Sequence, residues 1–62
     1  MKLVPKKGQI VLLIANDYGE RLIPPLEAEV VDLLAIQFTC QTAEGRTVFL
    51  HYTDYKEKFD VL

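Results

Sequence analysis

The sequence predicts an all-β fold, and three features of its 62 residues support this prediction. Apolar and polar residues alternate on both sides of the turn-forming segment 43–45. The two arms around that segment are rich in β-branched and aromatic residues, which favour strands. A second β-rich run, residues 9–15, precedes them. We therefore expect several short strands around one apolar face.

The central element is a predicted hairpin with a three-residue loop, Ala43-Glu44-Gly45. The last position of such a loop usually has a left-handed backbone, which Gly45 adopts without a Cβ clash. Opposed residues on antiparallel strands share a face. The predicted inward face pairs Cys40 with Val48, Phe38 with Leu50 and Ile36 with Tyr52. The predicted outward face pairs Gln41 with Thr47, Thr39 with Phe49 and Gln37 with His51.

Residues 25–37 allow two interpretations. If it is a strand over 27–33, Ala28, Val30 and Leu34 continue the predicted inward face. Asp32 would also point inward, and a charged residue there indicates a bend, bulge or turn near 32–35. As a helix, it has a proline suited to a first helical position and leucines at helical spacing. We favour the strand because β-branched residues are frequent and no helix stop signal precedes QFTCQT.

The remaining segments complete the predicted order of elements. Residues 9–15 have apolar residues at both odd and even positions, which is typical of a strand covered on both faces or lying at a barrel seam. Residues 16–26 are rich in turn-forming residues and prolines, and we interpret them as a long ordered loop or an irregular hairpin. Asp54 and Glu57 have the spacing of a capping box, which predicts a one-turn helix before a short final strand at 59–62.

This order of elements resembles that of the SH3-like small barrel of about five strands, and the resemblance extends over nearly the whole chain. In peptide-binding SH3 domains, aromatic residues of the long loop and the one-turn helix bind proline-rich ligands, and Tyr18 and Tyr55 occupy analogous places. The chain has no Trp, no ALYDY-like segment and no proline-serine-asparagine-tyrosine run, so we do not predict proline binding. The segment VVDLLAIQFTCQT also resembles small uncharacterised phage and prophage proteins.

Length and composition limit the remaining possibilities. Residues 1–62 are expected to form a single domain, half of whose residues are hydrophobic. The single cysteine, Cys40, excludes an intramolecular disulfide and fits a reducing cytoplasm. No run is long enough to span a bilayer, and no signal peptide or membrane partner is expected.

No catalytic, cofactor or metal site is predicted. His51 is the only histidine, and no second histidine or cysteine lies at a zinc-ligand spacing. Cys40 is predicted to point inward, where a thiol behaves as a small inert hydrophobic group. Glu27 and Glu29 share one strand face and are interpreted as exposed charge. The sequence therefore predicts a protein that is not an enzyme.

Two functions of different kinds are consistent with these features. The first is a protein-interaction module, monomeric or homodimeric, with candidate partner-binding residues Tyr18, Phe49, His51 and Tyr55. An aromatic residue on a polar strand face, such as Phe49, either marks an interface or is covered by the 16–26 loop. The alternative is a nucleic-acid-binding barrel, which the net charge of −2 makes the less favoured partner class. Its predicted contacts are Lys2, Lys6, Lys7, Arg46, Phe49 and Tyr52. A structural part of a phage particle or an inhibitor of a host enzyme is also compatible with these features, but no specific feature supports either.

Overall fold

The computed structural model describes residues 1–15 and 25–62, which form one antiparallel sheet curled into a half-barrel. Its strands are β1 (Ile10–Leu13), β2 (Leu26–Leu33), β3 (Gln37–Thr42), β4 (Thr47–His51) and β5 (Phe59–Val61). A single 3-10 turn, Tyr52–Asp54, separates β4 from β5. The interpretation of residues 16–24 as part of a long loop lies outside the described residues.

The strand order confirms the predicted all-β, SH3-like small barrel. Strands β1 to β4 pair consecutively, and β5 returns to pair with β1, which gives the order β4-β3-β2-β1-β5. Residues 26–33 form a strand, so the helical alternative for 25–37 is wrong. The described part of the chain contains the predicted turn before the last strand and no α-helix.

Three aromatic rings from separate elements meet at the centre of the core. The Phe38 ring of β3 lies 5.0 Å from the Phe59 ring of β5, edge to face, and 5.7 Å from the Tyr52 ring, stacked. Such arrangements add to the free energy gained from burial alone. The buried apolar side chains are Val11, Leu13, Ala28, Val30, Phe38, Cys40, Val48, Leu50, Tyr52 and Phe59. Because β4 and β5 do not pair in the described sheet, these side chains close the half-barrel.

The predicted hairpin register is confirmed at every pair between residues 37–41 and 47–51. Gly45 has a φ of 85°, and its N–H donates to the Thr42 carbonyl at 2.9 Å. Alternation places Phe38, Cys40, Val48 and Leu50 inside, as expected. Ile36 departs from the prediction, because it lies beyond the end of β3 and is 67 % exposed.

A β-bulge at Val31 explains the charged residue in the middle of β2. The register with β3 shifts between Val30 and Asp32, so that Asp32 pairs with Thr39 on the outward face. The extra residue turns the Asp32 carboxylate away from the core and bends the strand. This confirms the predicted irregularity. The expected inward position of Leu34 is wrong, because the shift moves it into the exposed turn that follows β2.

The segment after β4 differs in detail from the predicted capping box. The Asp54 carboxylate accepts a hydrogen bond from the His51 N–H at 2.9 Å, so it caps a turn that begins three residues earlier than expected. The 3-10 turn thus ends at Asp54, and a second turn follows it, in which the Glu57 and Lys58 N–H groups donate to the Asp54 carbonyl. Tyr55 packs on Phe59, with ring centroids 5.6 Å apart.

The Tyr52 hydroxyl gives a test of how the turn after β2 is held. This hydroxyl donates a hydrogen bond to the Leu34 carbonyl, 18 residues earlier in the chain. We expect Tyr52→Phe to lower the free energy of unfolding by about 1 kcal/mol, the usual net value of such a bond. Urea unfolding followed by tyrosine fluorescence or circular dichroism measures this change.

The matched control is Tyr55→Phe, whose ring packs on Phe59 at the edge of the core. Faster amide hydrogen exchange in residues 33–37 of the Tyr52→Phe variant alone would locate the effect in the turn. Equal losses of stability in both variants would contradict a specific role for the Tyr52 hydroxyl.

Candidate interaction surface on strand β4

Phe49 and His51 lie on the outward face of β4, as the alternation predicted. Phe49 is 61 % exposed although its cross-strand neighbour Thr39 is buried. The residues around it on this face are polar, including Thr47 of the same strand. The loop that was expected to cover this face falls mainly on residues 16–24, outside the described part of the chain. The aromatic ring is therefore the most prominent apolar feature of this face.

The other predicted partner-binding residues do not join this surface in the described structure. Tyr55 is half-buried against the core, and the Lys56 ammonium lies 5.1 Å from the centre of its ring. Phe59, on which Tyr55 packs, points to the inside of the sheet, whereas Phe49 points outward. Tyr18 lies outside the described residues. The structure thus places Phe49 and His51 together and Tyr55 elsewhere.

The outer edge of β4 carries backbone groups that no described strand pairs. The Tyr52 N–H donates to the Ile36 carbonyl at 3.2 Å, so even-numbered positions of this arm direct their backbone groups toward β3. The odd-numbered positions direct theirs away from the sheet, and they are Thr47, Phe49 and His51. Asp54 accepts the His51 N–H. The exposed edge therefore offers both donors and acceptors around Phe49.

A shallow cleft of about 260 Å³ follows this edge. Its lining consists of the whole of β4, one residue of the following turn and the residue before β5, namely Thr47, Val48, Phe49, Leu50, His51, Asp54 and Lys58. Because one wall is a strand whose outer edge no described strand pairs, the cleft offers backbone hydrogen-bonding groups to an extended polypeptide. The cleft and the exposed aromatic ring together define the candidate interaction surface.

The two edges of the sheet differ in their protection against further strand pairing. Strand β5 has only three residues and carries Asp60, whose carboxylate lies 3.0 Å from the Lys56 ammonium. The hydrogen bond from Lys56 lowers the pKa of Asp60, so this edge keeps its charges. Short edges with charged groups resist pairing with other chains. Strand β4 has five residues and contains no Lys, Arg, Asp, Glu or Pro.

Two of the basic residues predicted to contact nucleic acid lie at opposite ends of β4. A hydrogen bond from the Leu3 N–H to the Tyr52 carbonyl, 3.1 Å long, places Lys2 near one end of the strand. Arg46 lies before the other end, six residues from Tyr52 or about 20 Å along an extended strand. Tyr52 is only 4 % exposed, so its ring is not accessible for stacking on a base.

A second cleft, of about 240 Å³, lies on the outward side of β1, β2 and β3. Glu27 and Glu29 both border it, and both side chains are exposed, in agreement with their interpretation as surface charge. Within residues 1–15 and 25–62, no group of three or more His, Cys, Asp or Glu side chains is placed to hold a metal ion.

Comparison of the chain with protein-family models, with curated proteins and with solved structures finds no match. No helix in the described ranges is long and apolar enough to cross a membrane.

Sequence reasoning missed two features of the surface. The first is a run of four exposed apolar residues at the end of β2 and in the turn that follows it, Leu33-Leu34-Ala35-Ile36. The sequence could have indicated this run, because it contains no Gly, Pro, Asn or Asp, which is unusual for a turn. The second is the outer edge of β4, which no described strand pairs. No local sequence pattern could predict it, since it depends on β5 pairing with β1 and not with β4.

The predicted inward position of Cys40 is confirmed and leads to a test. The thiol is fully buried, and burial raises its pKa from 9.0 to about 11. We expect little reaction with a thiol reagent at pH 8 in the folded protein and rapid reaction in denaturant. Above pH 9 the unfolded chain ionises first, so the free energy of unfolding should fall by about 1 kcal/mol between pH 8 and pH 10.

Cys40→Ala is the control for this pH dependence, since tyrosines and lysines also titrate in this range. The wild-type protein should lose more stability than the variant as the pH rises, measured by urea midpoints. An equal slope in both proteins, or prompt labelling of the folded wild type, would show that the thiol is accessible.

Proposed function

We propose that the protein is a non-catalytic protein-interaction module that contacts its partner through β4. Phe49 forms the centre of the contact and His51 flanks it. The observation that carries this proposal is the 61 % exposure of an aromatic side chain in the middle of a strand whose outer edge no described strand pairs. Such a strand offers a partner both apolar area and backbone hydrogen-bonding groups, which are two separate sources of affinity.

The energetics of Phe49 favour a binding role over a role in folding. The core already buries Phe38, Tyr52 and Phe59, and Phe49 adds little to it from the opposite face. Apolar area removed from water is worth about 25 cal/mol per Å², so covering this ring gives a partner a substantial gain. Large aromatic residues are also frequent among the few positions that dominate the affinity of interfaces.

The cellular setting forms part of the same proposal. A single cysteine that is buried and needs no disulfide suits the reducing cytoplasm. The resemblance of VVDLLAIQFTCQT to small phage and prophage proteins suggests a phage or prophage origin. Phage or prophage genes beside the gene for this chain would support that origin, and their absence would count against it. Tyr18 and Tyr55 stay secondary candidates for partner contact.

Substitution at Phe49 tests the proposed contact. We expect Phe49→Ala to reduce binding to a partner captured from lysate of the native cells at least tenfold, and His51→Ala to reduce it less. The reason is that the central aromatic group of an interface usually contributes more than flanking polar groups. Biolayer interferometry with the purified partner gives the dissociation constants.

Leu62→Ala is a matched control, because Leu62 has a similar exposure of 67 % and lies away from β4. All variants should keep the wild-type circular dichroism spectrum and urea midpoint within error. Unchanged binding by a folded Phe49→Ala variant would contradict the proposal. Binding to a labelled oligonucleotide that weakens steeply with salt would instead favour the nucleic-acid alternative.

A further inference from the structure

We infer that one end of the sheet binds the surface of a bilayer rich in anionic phospholipid. The contact area, called the turn surface below, combines exposed lysines of the N-terminal segment with the exposed apolar turn after β2. Its residues are Lys2, Val4, Lys6, Lys7, Leu34 and Ile36. The inference is independent of the proposed function, because it uses no side chain of β4. The expectation of no membrane partner rested on segments that span a bilayer, and contact with its surface needs none.

Backbone hydrogen bonds around Tyr52 bring the N-terminal segment and the apolar turn together. The Leu3 N–H donates to the Tyr52 carbonyl at 3.1 Å, and the Tyr52 N–H donates to the Ile36 carbonyl at 3.2 Å. The Tyr52 hydroxyl also donates to the Leu34 carbonyl. Leu3 itself packs against the core. One buried residue therefore holds both parts of the turn surface in place.

The two lysines before β1 lie beside the same end of β2. The Gly8 N–H donates to the Val30 carbonyl at 2.8 Å, and the Val30 N–H donates to the Gln9 carbonyl at 2.9 Å. Lys6 and Lys7 directly precede Gly8, and both are exposed. These hydrogen bonds place the two lysines next to the part of β2 that leads into the apolar turn.

The turn surface lies at the end of the β1–β2 pair away from the connection between these strands. Residues 16–24 belong to that connection, and the paired residues at its end of the sheet are Leu13 and Leu26. Along β2, Leu26 and Leu33 lie about 20 Å apart, with the bulge taken into account. The apolar turn follows Leu33 and so belongs to the opposite end.

The composition of the turn surface fits lipid better than protein. Its cations are all lysines, which are depleted in protein interfaces, whereas arginine and aromatic residues are enriched there. Its apolar side chains line neither of the two clefts described above. Peptides usually bind in grooves or along strand edges. A bilayer instead receives protruding aliphatic groups, and its phosphates attract the lysines beside them.

The charges of the chain determine the orientation of this contact. The net charge is −2, so an anionic bilayer attracts the chain only through a positively charged part of its surface. The turn surface has three lysines and no acidic residue. Asp32 lies opposite Thr39 on the outward face, and Asp54 borders the cleft along β4. Binding should therefore depend on the turn surface facing the lipid.

Vesicle binding tests the inference directly. We expect the chain to co-sediment with vesicles of phosphatidylcholine and phosphatidylglycerol in equal parts, but not with vesicles of phosphatidylcholine alone. Between about 0.01 M and 1 M salt the screening length falls from roughly 30 to 3 Å, so binding should weaken at least tenfold. Absence of co-sedimentation with the anionic vesicles in dilute salt would overturn the inference.

Substitutions separate the apolar from the ionic contribution to vesicle binding. Ile36→Ser should weaken binding at least tenfold, because Ile36 is 67 % exposed and its aliphatic group would enter the bilayer. Lys7→Gln should weaken it about fivefold, since a lysine near an anionic surface contributes about 1 kcal/mol. The matched controls are Phe49→Ser and Arg46→Gln, which change exposed side chains outside the turn surface and should bind like the wild type.

Nitroxide-labelled lipid in the same vesicles locates the contact on the chain. It should broaden the amide NMR signals of residues 4–7 and 34–36 and leave those of residues 43–46 unchanged. Broadening confined to residues 47–51 would overturn the inference, and so would wild-type binding by both Ile36→Ser and Lys7→Gln. Circular dichroism establishes that each variant is folded. If Ile36→Ser does not fold, Val4→Ser replaces it, because Val4 is 54 % exposed.

The inference and the proposed function can fail separately. Capture of a protein partner that Phe49→Ala loses and Ile36→Ser keeps, together with vesicle binding that only Ile36→Ser loses, supports both. A chain that binds no vesicles but loses its protein partner in Ile36→Ser would assign the turn surface to protein contact. Salt-sensitive binding to an oligonucleotide without binding to vesicles would assign the lysines to nucleic acid. Either of these last two results would overturn the lipid contact.

Discussion

The packing of Phe38 against Tyr52 and Phe59 is the interaction on which the rest of the structure depends. Its three rings come from β3, the turn after β4 and β5, which are distant in the strand order. No described backbone pairing joins β4 to β5, and within the described residues these aromatic side chains connect the two ends of the sheet around one core. In a chain of 62 residues, large aromatic side chains supply much of the buried area per residue.

This mode of closure also determines what remains on the surface. A barrel closed by backbone pairing has no edges, whereas here no described strand pairs with the outer edges of β4 and β5. The chain protects β5 with a charged pair, Lys56 and Asp60, and leaves β4 without charges. The proposed contact through β4 follows from this difference between two edges of one sheet.

Much of the fold was predictable, because period-two alternation and one glycine determine a hairpin register. Gly45 identified the position of the turn. Counting along the strands from this turn then predicted the side of the sheet to which Phe38, Cys40 and Phe49 point. Alternation predicts the face on which a residue lies but not where its strand begins. Ile36, which precedes β3, was therefore wrongly assigned to the core. The capping signature at Asp54 is local, and it did not indicate the 3-10 turn upstream, in which Asp54 is the last residue and Tyr52 is buried.

The candidate site was predictable only in part. The outward positions of Phe49 and His51 were predicted from the alternation of inward and outward residues along β4, and both lie opposite polar residues. Their location at an open edge required the order of all five strands, which no local pattern contains. Tyr55 was chosen by analogy with SH3 domains, but its ring packs on Phe59 and the core.

The bulge at Val31 has a consequence for how the length of this chain can vary. Without Val31, the partners of Val30, Asp32 and Leu33 on β3 would form an uninterrupted ladder, so a one-residue deletion there would preserve the facing of every neighbour. It would remove the local bend instead, and a straighter β2 would carry the aromatic groups of β3 and β5 apart. Deletions elsewhere in β2 would turn inward-pointing side chains outward and outward-pointing side chains inward. Natural length variation within this strand should therefore be rare, and curvature, not sequence pattern, is what the extra residue preserves.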